Sequence, residues 1–310
     1  MSPSIRGLHT LLICTLLLMT SCHRKRPRNP GDSFVADSRL DELSGIVASV
    51  KYSGYLYVNN DSGDSSRFFS ITPDGQLRGI YYFNGSETGR LSVTDCEDIT
   101  LGSGPDGSTY VYVGDIGDNN GDRDHITIYR IKEPAPINSI AHPAPVTAHV
   151  EAEPVYLRYP DGPRDAETLM VDPLDKLLYI VSKREDSVHI YSAPLYFKAH
   201  DTVTLTMHAH LYFGKGKGRW ITAGNISPDG SQIILKSYRQ IFYWHRPPGL
   251  SVWKTLQLQY MLLLYIIEKQ GEAICFTPDG KGYYTVSEGN NPELFYYSMP
   301  SSFIAPPPRR

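Results

Sequence analysis

Along most of the chain, hydrophobic and polar positions come round in one order, five times. A small or acidic residue opens an apolar strand, a turn follows, a second strand ends in a polar cluster, and an aromatic-rich third strand comes after it. The segments are LSGIVASVKYSGYLYVNNDSGDSSRFFSI, CEDITLGSGPDGSTYVYVGDIGDNNGDRDHITIYRI, AETLMVDPLDKLLYIVSKREDSVHIYSA, TAGNISPDGSQIILKSYRQIFYWH and EAICFTPDGKGYYTVSEGNNPELFYYS. Their anchors Ser44, Glu97, Glu167, Thr222 and Glu272 are 53, 70, 55 and 50 residues apart, the length of a four-stranded propeller blade. The longest interval holds a Pro-rich insertion, PAPINSIAHPAP (134–145).

Register agrees with the repeat. The anchor lies 15 residues before the polar end of the second strand in four repeats, at Asn59, Ser182, Ser237 and Ser287. LRGIYYF, VEAEPVYLRY, VTLTMHAHLYF and SVWKTLQLQY read as fourth strands, and the fifth repeat has none after it. The expectation is an all-β, five-bladed β-propeller over 33–300, with residues 33–40 (SFVADSRL) filling the open edge and a disordered tail at 301–310. A six-bladed ring is the alternative, and no sixth anchor exists.

Antiparallel order puts the start of strand one and the end of strand two on the same face. All five anchors should therefore ring one mouth of the central channel. The loops after the second strands surround that mouth and bring Asp61, Asp115, Lys183, Arg184, Lys236, Arg239 and Glu288. The PDG-type turns fall on the other face and carry ordinary turn chemistry.

Composition sharpens this picture. The formal charge of −3 conceals that seven of the 30 basic residues lie in the first 28 positions or the last two, leaving 23 against 33 acidic in the body. An acidic body argues against a duplex nucleic-acid partner and suits a cation. Three carboxylates aimed at one axis repel unless a cation or protons neutralise them. Oxygen ligands without Cys or His favour Ca²⁺ over Mg²⁺, with Ser44, Glu97, Glu167, Thr222 and Glu272 as ligands. The alternative is that the glutamates pair with Lys183, Arg184, Lys236 or Arg239. DNNGDRD (118–124) lacks the glycine position and closing Glu of an EF-hand loop.

The N-terminus reads as a targeting segment. Arg6, the apolar run Leu11–Met19 and Leu18-Met19-Thr20-Ser21-Cys22 are arranged as in a bacterial lipobox. Residues 1–21 are expected to be a signal peptide, Cys22 the lipidated residue, and 22–32 a basic tether, placing a monomer on a membrane of the bacterial cell envelope. Cys96 and Cys275 fall in repeats that do not adjoin, which predicts two buried thiols rather than a disulfide.

The order hydroxyl, Glu, Glu, hydroxyl, Glu in LSGIVAS, CEDITL, AETLMV, TAGNISPDG and GEAICF resembles that of the calcium-activated nucleotidases (apyrases). The chain also looks like phytase-like and calcium-dependent phosphotriesterase-like propellers. That resemblance implies the five anchors as ligands of an axial Ca²⁺, Thr222 standing where the family has Ser. Two functions follow as expectations. One is metal-dependent hydrolysis of small phosphoesters or phosphoanhydrides, with Lys183, Arg184, Lys236 and Arg239 on the phosphate and Asp115, Asp61 or Glu288 as the water-orienting base. The other is a non-catalytic surface module for a glycan, peptide or protein, with structural calcium. His125, His189 and His245 sit around the third strands, which gives a lactonase-like variant less support.

Overall fold

A computed structural model describes residues 33–83, 93–135, 145–300 and 303. The segments expected to be a signal peptide and a tether, with Cys22, lie outside the described residues, as does most of 301–310 and of the Pro-rich insertion.

Strands β1 (Leu43–Ala48), β2 (Leu56–Asn60), β3 (Arg67–Ile71) and β4 (Leu77–Phe83) form the first antiparallel sheet. β5 (Cys96–Ser103), β6 (Thr109–Asp115) and β7 (Ile126–Lys132) begin the second. β8 (Val146–Val150) then returns to the first sheet, parallel to β4, and β9 (Ala152–Arg158) joins β7. β10 (Ala166–Asp172), β11 (Leu177–Ser182) and β12 (Val188–Pro194) start the third sheet; β13 (Thr202–Thr204) runs parallel to β9 of the second, and β14 (Thr206–Leu211) completes the third. β15 (Ile221–Ile226), β16 (Gln232–Ser237), β17 (Ile241–His245) and β18 (Met261–Leu262) make the fourth. β19 (Gly271–Phe276), β20 (Gly282–Ser287) and β21 (Leu294–Ser298) make the fifth. Each innermost strand neighbours the next, and β19 comes back to β1. The protein is a five-bladed β-propeller.

Three expectations need correction. VTLTMHAHLYF divides between two sheets, so that β13 covers the outer edge of the second blade, and β8, a strand not expected from the sequence, covers that of the first; VEAEPVYLRY is β9, the expected fourth strand, save Val150, which ends β8. An outer edge left bare would expose unpaired N–H and C=O groups, and the borrowed strands cover two of them. SVWKTLQLQY is not a strand: it opens as a helical turn, α1 (Val252–Thr255). Val252 and Leu256, four apart and buried, point the same way into the core. The fourth strand of that blade is the two-residue β18 further on. Finally, residues 33–40 contribute one bridge, Phe34 to Glu293, with Val35 N–H on Pro292 O (2.9 Å) and Leu294 N–H on Ser33 O (2.9 Å), rather than a full strand.

Aromatic and β-branched side chains from facing sheets fill the spaces between blades. Buried polar side chains stitch the innermost strands together. Asp98 accepts from Ile99 N and, across the blade boundary, from Leu169 N, both at 2.8 Å. Asn225 likewise accepts from Phe276 N at 3.1 Å. Gly45 sits where a Cβ would come 2.6 Å from Ile99 N, so this approach of β1 to β5 requires glycine. Cys96 and Cys275 are both buried and free.

Candidate metal centre at the channel mouth

All five anchors share one backbone irregularity. The ladder between the first two strands of each blade shifts register between Leu43 and Gly45, Cys96 and Asp98, Ala166 and Thr168, Ile221 and Ala223, and Gly271 and Ala273. The residue left out of the pairing is Ser44, Glu97, Glu167, Thr222 or Glu272. Each anchor is thus the extra residue of a β-bulge, a device that re-aims one side chain without disturbing the strand beyond it.

The bulges gather the acidic groups. Carboxylate oxygens of Asp61, Asp95 and Glu97 lie within 4.8 Å of one another; so do those of Asp61, Glu272 and Glu288, and those of Glu97, Asp165 and Glu167. Seven carboxylates therefore share the mouth. Ser44 Oγ donates to Glu97 Oε2 (3.1 Å) and the Tyr238 hydroxyl to Glu272 Oε1 (2.5 Å). Lys183 pairs with Glu167 and stands 3.8 Å from Glu272 Oε1, beneath the Tyr238 ring. Thr222 turns its hydroxyl to Gly271 O (3.2 Å).

One lysine does not satisfy this ring. Glu167 Oε2, Glu272 Oε2 and Asp95 Oδ1 are buried and meet no N–H or hydroxyl donor; Glu272 and Asp95 have only neighbouring carboxyl groups, Glu288 and Asp61, to share a proton with, a costly state for a carboxylate. Burial, with Asp61 and Asp95 beside it, pushes the Glu97 carboxyl well above the usual range. Burial and Asp61 raise Asp95 to about 7, and burial with Glu272 raises Glu288 to about 9. Burial works against ionisation of Glu272, yet Glu288, Lys183 and Tyr238 together hold it below the usual range. Hard, inward-facing oxygens short of N–H or hydroxyl partners, with no thiolate or imidazole, are a donor set that fits Ca²⁺.

Asp95 and Asp165 were not foreseen. Each stands two residues before its anchor, so Asp95-Cys96-Glu97 and Asp165-Ala166-Glu167 repeat one D-x-E pattern. That repetition was the available signal. Trp220, stacked under the Arg184 guanidinium at 5.1 Å, was likewise missed as a rim aromatic.

Several expected residues stand elsewhere. Asp115 accepts from Thr94 N (3.1 Å), Asp95 N (3.0 Å) and Arg123 Nη1 (2.8 Å), which makes it a brace for the loop bearing Asp95. Arg184 pairs with Asp165 and reaches Asn119. Lys236 is fully buried, held by Gly271 O and by Glu268 at 3.4 Å, behind the ring. Lys236→Met is therefore expected to cost about 2 kcal/mol by stranding Glu268, read as a shift of the urea midpoint.

Arg239 is exposed and lines a cleft of about 310 Å³ with Lys217, Tyr238, Ile267, Glu268 and Lys269. The cleft shares Tyr238 with the carboxylate ring, so a cationic recess adjoins the acidic mouth.

No protein-family model matches the sequence, and no curated protein matches it. Solved structures similar to it include Kuenenia stuttgartiensis hydrazine synthase (14% identity, TM-score 0.37), of which the chain spans 57% while 82% of the chain is covered. A luciferin-regenerating enzyme is matched at 11% identity and TM-score 0.44, over 88% of this chain and 92% of that one. A Bacteroides fragilis protein assigned as a 6-phosphogluconolactonase is matched at 12% identity and TM-score 0.44, over 87% and 83%. Likenesses at this level assign no role to any residue here.

Proposed function

We propose that this propeller holds Ca²⁺ at its channel mouth and hydrolyses small phosphoesters or phosphoanhydrides, from a lipid-anchored position in the cell envelope. The observation that carries the proposal is the set of buried oxygens of Glu167, Glu272 and Asp95, without N–H or hydroxyl partners, on bulged or bulge-adjacent positions, next to a cationic cleft. Glu97, Glu167 and Glu272, with Asp61 and Asp95, would hold the ion. When bound, calcium supplies charge neutralisation and polarisation of a phosphoryl oxygen.

The chain's own residues do the rest. Of the four residues expected on the phosphate, Arg239 keeps that role and Lys217 joins it, in place of Lys183, Arg184 and Lys236; the planar guanidinium allows two parallel bonds. Asp61 and Glu288 both belong to the carboxylate groups of the mouth; with Asp61 on the ion, Glu288 would stand to accept the proton of an attacking water once a bound cation has displaced its own proton, whereas Asp115 is already fully engaged. Lys183 screens the repulsion between Glu167 and Glu272 and holds both carboxylates at the mouth.

The test is turnover of p-nitrophenyl phosphate, its diester and nucleoside di- and triphosphates with calcium or with chelator. Calcium-dependent release is expected, abolished in Glu167→Gln, with KM raised about tenfold in Arg239→Ala, the loss of one charge-assisted contact. Calcium binding without turnover would sink the hydrolase. It would leave a non-catalytic module, favoured by Trp220 and Tyr238 at the rim, surfaces suited to a glycan or peptide.

A further inference from the structure

The stretch from Leu258 to Ile267 contains YMLLLYII, an apolar run that core packing only half consumes. Leu263 is buried against the Ile274 and Tyr283 cluster, and Tyr265 packs on the same cluster. Leu262, Leu264 and Ile266 alternate with them and face outward, at 52%, 68% and 44% exposure, continued by Ile267 at 63%. The backbone is pinned: Leu263 N–H donates to Ile241 O (3.0 Å), Leu264 O accepts from the Tyr283 hydroxyl (2.6 Å), and Ile266 N–H reaches the Tyr297 hydroxyl (3.2 Å). The exposure is a fixed ridge between the fourth and fifth blades. Apolar ridges of this kind mark contact surfaces on soluble domains.

The chain's entry point says what covers it. Ser33 and Val35 pair with Leu294 and Pro292, and a groove of about 420 Å³ lined by Pro292, Glu293, Phe295, Ile266 and Ile267 joins that point to the ridge. The sequence immediately before Ser33 is CHRKRPRNPGD, with four cations and the expected lipid attachment. Eleven residues span at most about 39 Å when extended. Exposed Lys254 and Lys269 lie close in sequence to the two ends of the ridge, positioned for anionic headgroups as the apolar side chains enter the interface.

We propose that the Leu258–Ile267 ridge docks on the lipid bilayer, so that the propeller lies against the membrane with blades four and five down. Docking orients a body that the anchor merely tethers. Ile267 and Lys269 also line the cationic cleft, so this posture brings the cleft to headgroup level. The inference is independent of hydrolysis; the anchor expected at Cys22 is what singles out a bilayer as the occupant, and the ridge itself is what docks.

The protein purified from membranes and reconstituted into phosphatidylethanolamine–phosphatidylglycerol vesicles provides the test. Tryptophan introduced by Leu264→Trp should be quenched by brominated lipid at least about threefold more than one introduced by Tyr212→Trp, an exposed site on the third blade, given interfacial burial of the order of 5–10 Å. Leu264→Asp with Ile267→Asp should abolish slow tumbling of the vesicle-bound body without altering its melting temperature. Equal quenching at both sites, in protein whose Cys22 mass shows acylation, overturns docking. So does a lipid-free dimer that the double Asp variant dissociates, since a second copy would then own the ridge. An unacylated Cys22 with a quenched ridge removes the anchor and supports docking on its own.

Discussion

Adding Ca²⁺ to metal-stripped protein is expected to raise the melting temperature by about 5–10 °C at a concentration near one hundred times Kd. A ligand at that excess contributes about 2.7 kcal/mol, and a domain of this size moves about 2–4 °C per kcal/mol. Glu167→Gln and Glu97→Gln should each abolish the rise. The apo protein should also have a distinctive pH profile. Asp95 and Glu288 are raised to about 7 and about 9 by burial and by the carboxylates beside them. The native state therefore binds more protons than the unfolded chain between roughly pH 4 and 9, and stability falls as pH rises through that window. Glu272, held low, acts in the opposite sense but over a narrower range at the acid end. Calcium replaces the protons, so its affinity should rise with pH and the downward slope should flatten in its presence. Thermal melts between pH 5 and 9, with calcium and with chelator, check all three. An unchanged melting temperature on calcium addition, with Glu167→Gln indistinguishable from the parent, would sink the metal centre.

The blades were legible because strand alternation and turn chemistry are local. The apolar run after Glu167 and the Pro-Asp-Gly turns at 228–230 and 278–280 each set an element within a few residues. The convergence of Glu97, Glu167 and Glu272 was legible too, since a constant offset to the second strand's end fixes which face a residue occupies. The bulges were not. A residue left out of a ladder is a relation between two strands, and AETLMV looks the same with or without it. The exchanged strands β8 and β13 were hidden for a similar reason, because VTAHV alternates alike whichever sheet receives it. For the cations the sequence left two readings open, phosphate contact or pairing with the glutamates, and the structure shows the pairing for Lys183, on Glu167; that Asp165 takes Arg184 was not legible, since Asp165 itself was not singled out. Lys236 was misplaced through its side-chain direction: strand β16 turns it behind the ring, onto Glu268. The D-x-E repeat was the one local signal overlooked.

Removing the Arg246 guanidinium should destabilise the propeller more than any substitution at its mouth. Arg246 follows β17 of the fourth blade and reaches into the third, donating to Asp172 at 2.7 Å and Asp175 at 2.9 Å while its Nε donates to Leu250 O. Asp172 is wholly buried; its Oδ1 also accepts from Leu174 N at 2.9 Å, and its Oδ2 has no partner. Arg246→Met preserves much of the aliphatic volume and strands that carboxylate, a change that typically costs about 3–5 kcal/mol. The loss should appear as a lower urea midpoint with calcium affinity unchanged, because the pair sits at the turn side of β10, away from the anchors. Asp172→Asn in the Arg246→Met background removes the stranded charge and should recover at least about 1 kcal/mol, since a neutral amide is cheaper to bury than an unpaired ion. A single variant within about 0.5 kcal/mol of the parent would mean that water reaches Asp172 and that the third and fourth blades are held together by their apolar faces alone.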